Sequence, residues 1–158
     1  MEHIISVLVE NRFGVLSHIA GMFAGRGFNI DSLAVGRTED PAISRMTIVV
    51  KEDDAGVEQV LKQLNRQVDV IKVEDLTKTG RYVERELLLL KVATTSKTRS
   101  EVVEIADIFR SKIVDVQQGS ITIEAAGSAD KLSALVDMLQ PYGIRELMRT
   151  GRIAMKRG

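Results

Sequence analysis

The loop between residues 10 and 14 joins an apolar strand to a helix and carries the best candidates for binding chemistry. Asn11 offers an amide that can accept a hydrogen bond from an ammonium group and donate one to a carboxylate. Gly14, which has no Cβ, allows a positive φ and a close approach of a ligand to the backbone. Val15 and Leu16 begin the helix, where backbone N–H groups have no intrahelical partner. Together with the helix dipole, such groups favour a small carboxylate.

A second polar candidate stands at the far end of the same helix. Gly27 is expected to end the helix, and Asn29 precedes Ile30 in a strand that is otherwise apolar. A structural role for Gly14 is equally open, because a tight strand-to-helix turn can require glycine by itself. The functional interpretation of this segment is the sensing of a small acid rather than catalysis.

Motifs that would support catalysis are missing from the sequence. The phosphate-binding G-x-G-x-x-G pattern is not formed by Gly21, Gly25 and Gly27. Its last glycine would stand at position 30, which is isoleucine, and the glycine cluster ends a helix instead of beginning one. The two histidines, His3 and His18, have no carboxylates at metal-ligand spacing, and His18 is expected to be a polar helix position or to lie at the lip of the loop. The chain has no cysteine, which excludes disulfides and a thiolate nucleophile.

Composition narrows the classes of partner. The 158 residues include 22 basic and 22 acidic side chains, and nucleic-acid binding usually requires a basic excess. The longest apolar run, Leu87 to Leu90, is too short to span a bilayer, and the N-terminus lacks the pattern of a secretion signal. We therefore expect a cytoplasmic protein that binds neither nucleic acid nor membrane.

Hydrophobic periodicity in the first half predicts the order strand, helix, strand, strand, helix, strand. The strands are predicted at residues 4–9, 28–35, 44–51 and 68–76. Asp53 or Asp54 is expected to cap the second helix. Gly21 and Gly25, four residues apart, would let the first helix lie close to the sheet or to a neighbouring helix. Arg45 is expected either to pair with an acidic neighbour or to contact a partner.

The same order repeats in the second half. Strands are predicted at 84–93, 113–116 and 121–125, with one or two more within 144–155. Thr98 and Glu101 predict a capping box, and Ser128 predicts a helix cap. The fold class is therefore α+β, with two tandem ferredoxin-like βαββαβ units at 1–76 and 83–158, joined by a polar linker at 77–82.

Several blocks of the sequence resemble one protein family over essentially the whole chain. Residues 5–11 followed by Gly14-Val15-Leu16 resemble the opening of an ACT domain. The blocks at 25–33, 38–41, 44–47 and 82–87 resemble the regulatory (small) subunit of acetohydroxyacid synthase, also called acetolactate synthase. The later blocks make the resemblance specific to this subunit.

The resemblance implies a regulatory subunit with no catalytic residue, metal site or cofactor of its own. A catalytic large subunit would carry thiamine diphosphate, Mg²⁺ and FAD, and would condense pyruvate in branched-chain amino-acid synthesis. The small subunit would raise that activity and confer feedback inhibition by valine. Its homodimer would set two ACT domains side by side, with effector sites at the two-fold interface. The implied effector residues are Asn11, Gly14, Val15 and Leu16 of one chain, facing Asn29 and Ile30 of the other.

Three alternatives stay open at this point. The chain could be an ACT-domain sensor for another biosynthetic enzyme. An acylphosphatase-like enzyme shares the βαββαβ order and uses an arginine and an asparagine, which Arg12 and Asn29 superficially match. An RNA-binding module of this fold needs aromatic residues on its central strands, and the strands at 4–9 and 44–51 have none.

The second unit has Thr94-Thr95-Ser96-Lys97 at the position where the first unit has its glycine loop. We therefore expect no second effector site there.

Overall fold

Strand β1 (Glu2–Glu10) lies inside the first of two sheets in the computed structural model, which describes residues 1–158. It is followed by α1 (Val15–Gly25), β2 (Ile30–Arg37), β3 (Ile43–Lys51), α2 (Asp54–Asn65) and β4 (Val70–Asp75). The sheet order is β2-β3-β1-β4, and every pair is antiparallel. The predicted order of elements is therefore confirmed for the first unit.

The core of this unit lies between the sheet and the two helices. The strands contribute Ile5, Val7, Val9, Met46, Ile48 and Val50, and the helices contribute Val15, Ile19, Phe23, Val57, Val60 and Leu64. The alternation along β1 and β3 follows from the period of two in a strand, which sends every second side chain to the same face. Asp53 caps α2 by accepting a hydrogen bond from the N–H of Gly56 at 2.7 Å, as expected.

Gly21 and Gly25 do not mediate close packing, contrary to the sequence-based expectation. Both glycines are exposed, and a Cβ added at either one would meet no atom within 4 Å. They line a shallow groove together with residues of α1, of α2 and of the segments just after each helix: His18, Met22, Arg26, Gln63 and Gln67. A spacing of four residues between glycines predicts a packing face, but the buried stripe of α1 is instead Val15, Ile19 and Phe23.

The second unit repeats this architecture. Its elements are β5 (Tyr82–Ala93), α4 (Arg99–Ile108), β6 (Lys112–Val116), β7 (Ser120–Gly127), α5 (Ala129–Leu139), a 3₁₀ turn (Gln140–Tyr142) and β8 (Ile144–Arg149). The sheet order β6-β7-β5-β8 matches that of the first sheet. Its core combines Leu88, Leu90, Val92, Ile121, Ile123 and Ala125 with Val102, Ala106, Leu132, Leu135 and Leu139. No helix of either unit is long and apolar enough to cross a bilayer.

The chain forms two compact units, and the first of them is built from two separate parts of the sequence. The first unit comprises residues 1–83 together with 152–158, and the second comprises 84–151. The predicted linker contains the short helix α3 (Leu76–Thr79). The last strand, β9 (Ile153–Lys156), pairs with β5, and Ala154 packs with Ile4 and Val49 of the first unit. The pairing is long-range in sequence, so local periodicity could not reveal it.

Candidate functional site

The loop after β1 has the backbone geometry that the sequence predicts. Gly14 adopts φ +86° and is the residue from which α1 begins. The N–H of Asn11 donates to the carbonyl of Ala42 at 2.8 Å, and the Asn11 Nδ2 donates to the carbonyl of Pro41 at 2.9 Å. The amide oxygen of Asn11 therefore remains available to accept a hydrogen bond, on an exposed side chain.

The start of α1 leaves backbone donors open. The helix has no side-chain cap and no acidic residue in its first turn. Its first hydrogen bond of the α-helical type runs from the N–H of His18 to the carbonyl of Gly14 at 3.0 Å. The N–H of Val15 makes only a long contact, 3.4 Å, with the carbonyl of Arg12. The N–H groups of Leu16 and Ser17, both exposed residues, are therefore free to bind an acceptor from outside the chain.

The starts of α2 and α5 have side-chain caps where α1 has none. Asp53 caps α2, and Ser128 caps α5 by accepting from the N–H of Lys131 at 3.3 Å. At α4 the hydroxyl of Thr95 accepts from the N–H groups of Lys97 and Thr98, at 3.3 and 3.2 Å. These two donors precede α4, so its first turn has no side-chain cap, as in α1, but it does contain an acidic residue, Glu101.

Asn29 and Ile30 lie at the opposite end of α1 from Gly14. An α-helix rises about 1.5 Å per residue, so the 11 residues of α1 separate its ends by roughly 16 Å. The structure brings Asn11, Gly14, Val15 and Leu16 together, but it does not bring Asn29 and Ile30 to them within one chain. Ile30 begins β2, which is an outer strand of its sheet and has a free edge.

A charged cluster beside the loop is a feature that the sequence reading missed. Asp69, in the turn before β4, contacts the guanidinium of Arg12 through Oδ1, and its Oδ2 lies 3.3 Å from Nδ1 of His18. Glu10 also contacts the Arg12 guanidinium. The hydrogen bond with His18, and then the Arg12 guanidinium, lower the pKa of Asp69 below its ordinary value. His18 is thus an exposed polar position of α1, as expected, and it also lies beside the loop, which was the other expected position.

Both halves of the chain match family models. Residues 5–72 match the model described as the AHAS small subunit-like ACT domain, where AHAS is acetohydroxyacid synthase. Residues 85–158 match the model described as the small subunit of acetolactate synthase. The chain belongs to the acetolactate synthase small-subunit family. This membership confirms the resemblance inferred from the sequence blocks and supports the role of a regulatory subunit.

Individual relatives agree with this membership along the whole chain. A probable acetolactate synthase small subunit from Archaeoglobus fulgidus is 54% identical over 158 residues, covering 100% of this chain and 98% of the relative. The acetolactate synthase small subunit of Aquifex aeolicus is 52% identical, covering 99% of this chain and 81% of the relative. The crystal structure of the Thermotoga maritima small subunit superposes with a TM-score of 0.92 at 40% identity, covering 100% and 98% of the two chains.

Arg45 does not pair with an acidic neighbour, and its contact with a partner stays a prediction. Its Nη1 donates to the hydroxyl of Ser6 at 2.7 Å, across the pair of strands β1 and β3. The side chain is therefore held by a neutral partner on the sheet rather than by an acidic neighbour. The preceding turn is exposed and is closed by its own hydrogen bonds, including Ala42 N–H to Asp40 Oδ1 at 2.9 Å.

Proposed function

We propose that this chain activates the catalytic large subunit of acetolactate synthase and confers feedback inhibition by valine. Membership of the small-subunit family supports the partner, and the uncapped start of α1 supports the effector. An amino acid has a carboxylate that suits open N–H groups at a helix start. In this proposal thiamine diphosphate, Mg²⁺ and FAD belong to the large subunit, and this chain supplies regulation alone.

The proposed effector site is shared by two copies of the chain. Valine's carboxylate would accept from the N–H groups of Val15 and the residues after it, and its ammonium group would bind the amide oxygens of Asn11 and Asn29. Its side chain would contact Leu16 and Ile30, because the side chain of Val15 is buried in the core. The separation of Asn29 from Gly14 by the length of α1 supports a second chain as the source of Asn29 and Ile30. The free edge of β2 supports a side-by-side homodimer.

A ligand held by two chains couples regulation to assembly. Binding that requires the interface stabilises it by RT ln(1 + [L]/Kd), which is about 2.7 kcal/mol when the free ligand exceeds Kd a hundredfold. Valine changes the activity of the large subunit only if the active and the inhibited arrangements bind it with different affinities. Inhibition and dimer stability should therefore respond to valine over the same concentration range.

The decisive experiment replaces Gly14 with aspartate and measures valine inhibition of the reconstituted holoenzyme. Gly14→Asp places a carboxylate where the effector's own carboxylate would bind, so inhibition is expected to disappear while activation persists. Gly80→Asp is the matched control, because Gly80 also has a positive φ (+66°) and open space around its Cα, but lies far along the chain from the loop. Retained inhibition in Gly14→Asp would contradict the proposed site.

A second substitution tests the contribution of the other chain. Asn29→Ala is expected to weaken valine binding in calorimetry, because it removes a hydrogen-bond partner of the ammonium group. Asn65→Ala is the control, since Asn65 is exposed and its amide donates to the carbonyl of Leu61 within α2. An unchanged valine affinity in Asn29→Ala would remove Asn29 from the site.

A further inference from the structure

The loop of residues 10–14, together with the start of α1, is called the effector loop here. The carboxylate of Asp69 contacts this loop on both sides of Gly14. Its Oδ1 contacts Arg12, two residues before the glycine, and its Oδ2 contacts His18, four residues after it. The carbonyl of Asp69 also accepts the N–H of Glu10 at 2.9 Å. The Asp69 side chain is only 13% exposed, whereas the side chains of Arg12 and His18 are 58% and 68% exposed. The aspartate is therefore the least exposed of the three, and the two exposed groups both contact it.

The interior of the loop has few other constraints. Between Arg12 and His18 the backbone is tied by the 3.4 Å contact from Val15 N–H to Arg12 O and by the bond from His18 N–H to Gly14 O. A Cβ built on Gly14 meets no atom within 4 Å, so no neighbouring group restrains the glycine by packing. Val15, the first residue of α1, is buried in the core and fixes the helix, so residues 12–14 before it, which are not buried, are the part of the site that depends on the contacts of Asp69.

We infer that Asp69 is a positioning residue for the effector site: by binding Arg12 and His18 together, it sets how residues 12–14 lie against the open N–H groups that follow Gly14. This inference rests on the proposed function, because it concerns the same loop. Asp69 does not touch the effector in this scheme. It acts through the loop, as a carboxylate with two oxygens that can bind two partners at once.

Electrostatics alone predicts the opposite effect of removing this charge. Asp69 is an anion near a loop proposed to bind a carboxylate, so neutralising it would leave Arg12 with less compensation and would strengthen the attraction for valine. Positioning predicts weaker binding, because an asparagine has one acceptor oxygen and cannot accept from Arg12 and His18 through two separate oxygens. The sign of the change in affinity therefore distinguishes a positioning role from a charge effect.

The test compares Asp69→Asn with the unmodified chain in the holoenzyme, using valine as the probe. Calorimetry measures the valine Kd, enzyme assays measure activation, and amide hydrogen exchange measures the protection of residues 14–18. Asp69→Asn is expected to raise the valine Kd by about tenfold, to speed exchange in the loop and to leave activation without valine unchanged. Asp69→Glu, which keeps both acceptor oxygens, is expected to restore part of the affinity.

Glu74→Gln is the matched control. Glu74 is also a carboxylate of the first unit that lies between two cations, Lys72 at 3.2 Å and Lys156 at 3.6 Å, but these cations lie outside the loop. The control should leave the valine Kd and the exchange of residues 14–18 unchanged. If the valine Kd rises equally in Asp69→Asn and Glu74→Gln, Asp69 contributes only to the general stability of the first unit, and its positioning role is wrong.

The remaining outcomes separate the inference from the proposed function. If Asp69→Asn binds valine as tightly as the unmodified chain or more tightly, the positioning role is wrong and the proposed function stands. If the unmodified holoenzyme does not bind valine, the proposed function fails and takes the effector role of Asp69 with it. In that case faster exchange in Asp69→Asn would show that the aspartate orders the loop for another purpose.

Discussion

Gly14, at the start of α1, and Gly21, within the helix, differ in what an added methyl group would do. Gly14 has φ +86°, a conformation that costs an L-residue about 1–2 kcal/mol, whereas Gly21 lies within the helix. Neither Cβ would meet an atom within 4 Å, so the backbone alone decides the effect. This makes the pair a clean comparison of conformational preference at the residue scale.

We expect Gly14→Ala to lower the free energy of unfolding by about 1–2 kcal/mol, and Gly21→Ala to raise it by about 0.5–1 kcal/mol, since alanine is the better helix former. Calorimetric melting of the two variants beside the unmodified chain measures both effects. Changes of the same sign in the two variants would contradict the observed difference in backbone conformation.

Asp69 also gives the stability of the chain a dependence on pH. Its pKa is lower in the folded protein than in the unfolded chain, where it is about 3.9. The folded state therefore gains from the ionised carboxylate above that value, and the gain disappears as the pH falls through the lower, folded pKa. The difference in unfolding free energy between the unmodified chain and Asp69→Asn should be largest near neutral pH and should shrink below about pH 4. Denaturant titrations at several pH values measure it, and a constant difference would be the contrary result.

Sequence reasoning could select Asn11 and Gly14 as candidates for the effector site but could not select Asp69. The glycine loop is a local pattern, readable because a strand, a polar loop and a helix follow one another within a few residues. Asp69 lies 57 residues from Arg12 and 51 from His18, and it reaches them only because β4 pairs with β1. Without the register of that pairing, the aspartate was simply part of a predicted strand.

At the scale of elements, the N-terminal caps of the helices show where the local sequence predicts a cap correctly and where a nearby side chain changes the hydrogen bonding. Asp53 and Ser128 cap α2 and α5 as predicted. The predicted capping box of Thr98 and Glu101 is wrong, because Thr98 makes no cap and its hydroxyl instead accepts from the N–H of Thr95 at 2.9 Å. Glu101 accepts from the hydroxyl of Tyr142 at 2.9 Å. A competing threonine three residues earlier was enough to change the outcome.

Ser128→Ala is expected to destabilise the second unit by about 1 kcal/mol, because α5 loses the acceptor for the N–H of Lys131. Ser100→Ala provides the control, since Ser100 is an exposed residue in the first turn of α4 and its loss should change stability by no more than about 0.5 kcal/mol. Chemical denaturation of both variants tests this. A loss in Ser100→Ala as large as that in Ser128→Ala would refute the role of the cap.

At the scale of the whole molecule, the C-terminal segment belongs to the unit in which the chain began. Arg152 contacts Glu2 at 2.5 Å, its N–H donates to the hydroxyl of Ser32 at 3.1 Å, and Lys156 lies 3.6 Å from Glu74. Ala154 packs with Ile4, Val49 and Leu76 on the face of the first sheet away from α1 and α2. The repeat of βαββαβ order was predictable from sequence, but this return was not, because β9 lies beyond the second repeat.

Ala154→Asp should destabilise the first unit by about 3 kcal/mol, because it introduces a carboxylate into an apolar cluster without a partner. Met155→Asp is the neighbouring control: Met155 is 64% exposed, against 6% for Ala154, so the same charge remains in water. Thermal melting of the two variants gives the comparison. Equal melting temperatures would mean that the last strand contributes nothing to the cluster.

The insertion of residues 84–151 between the two parts of the first unit has a consequence for biosynthesis. A ribosome that makes this polypeptide completes the first sheet before residues 84–151 are made, but it adds Ala154, which packs with Ile4 and Val49, only after them. During translation the cluster of Ile4, Val49, Leu76 and Tyr82 therefore lacks Ala154 until the second unit has been synthesised. Release of the first 83 residues from the ribosome is thus not enough to complete the first unit.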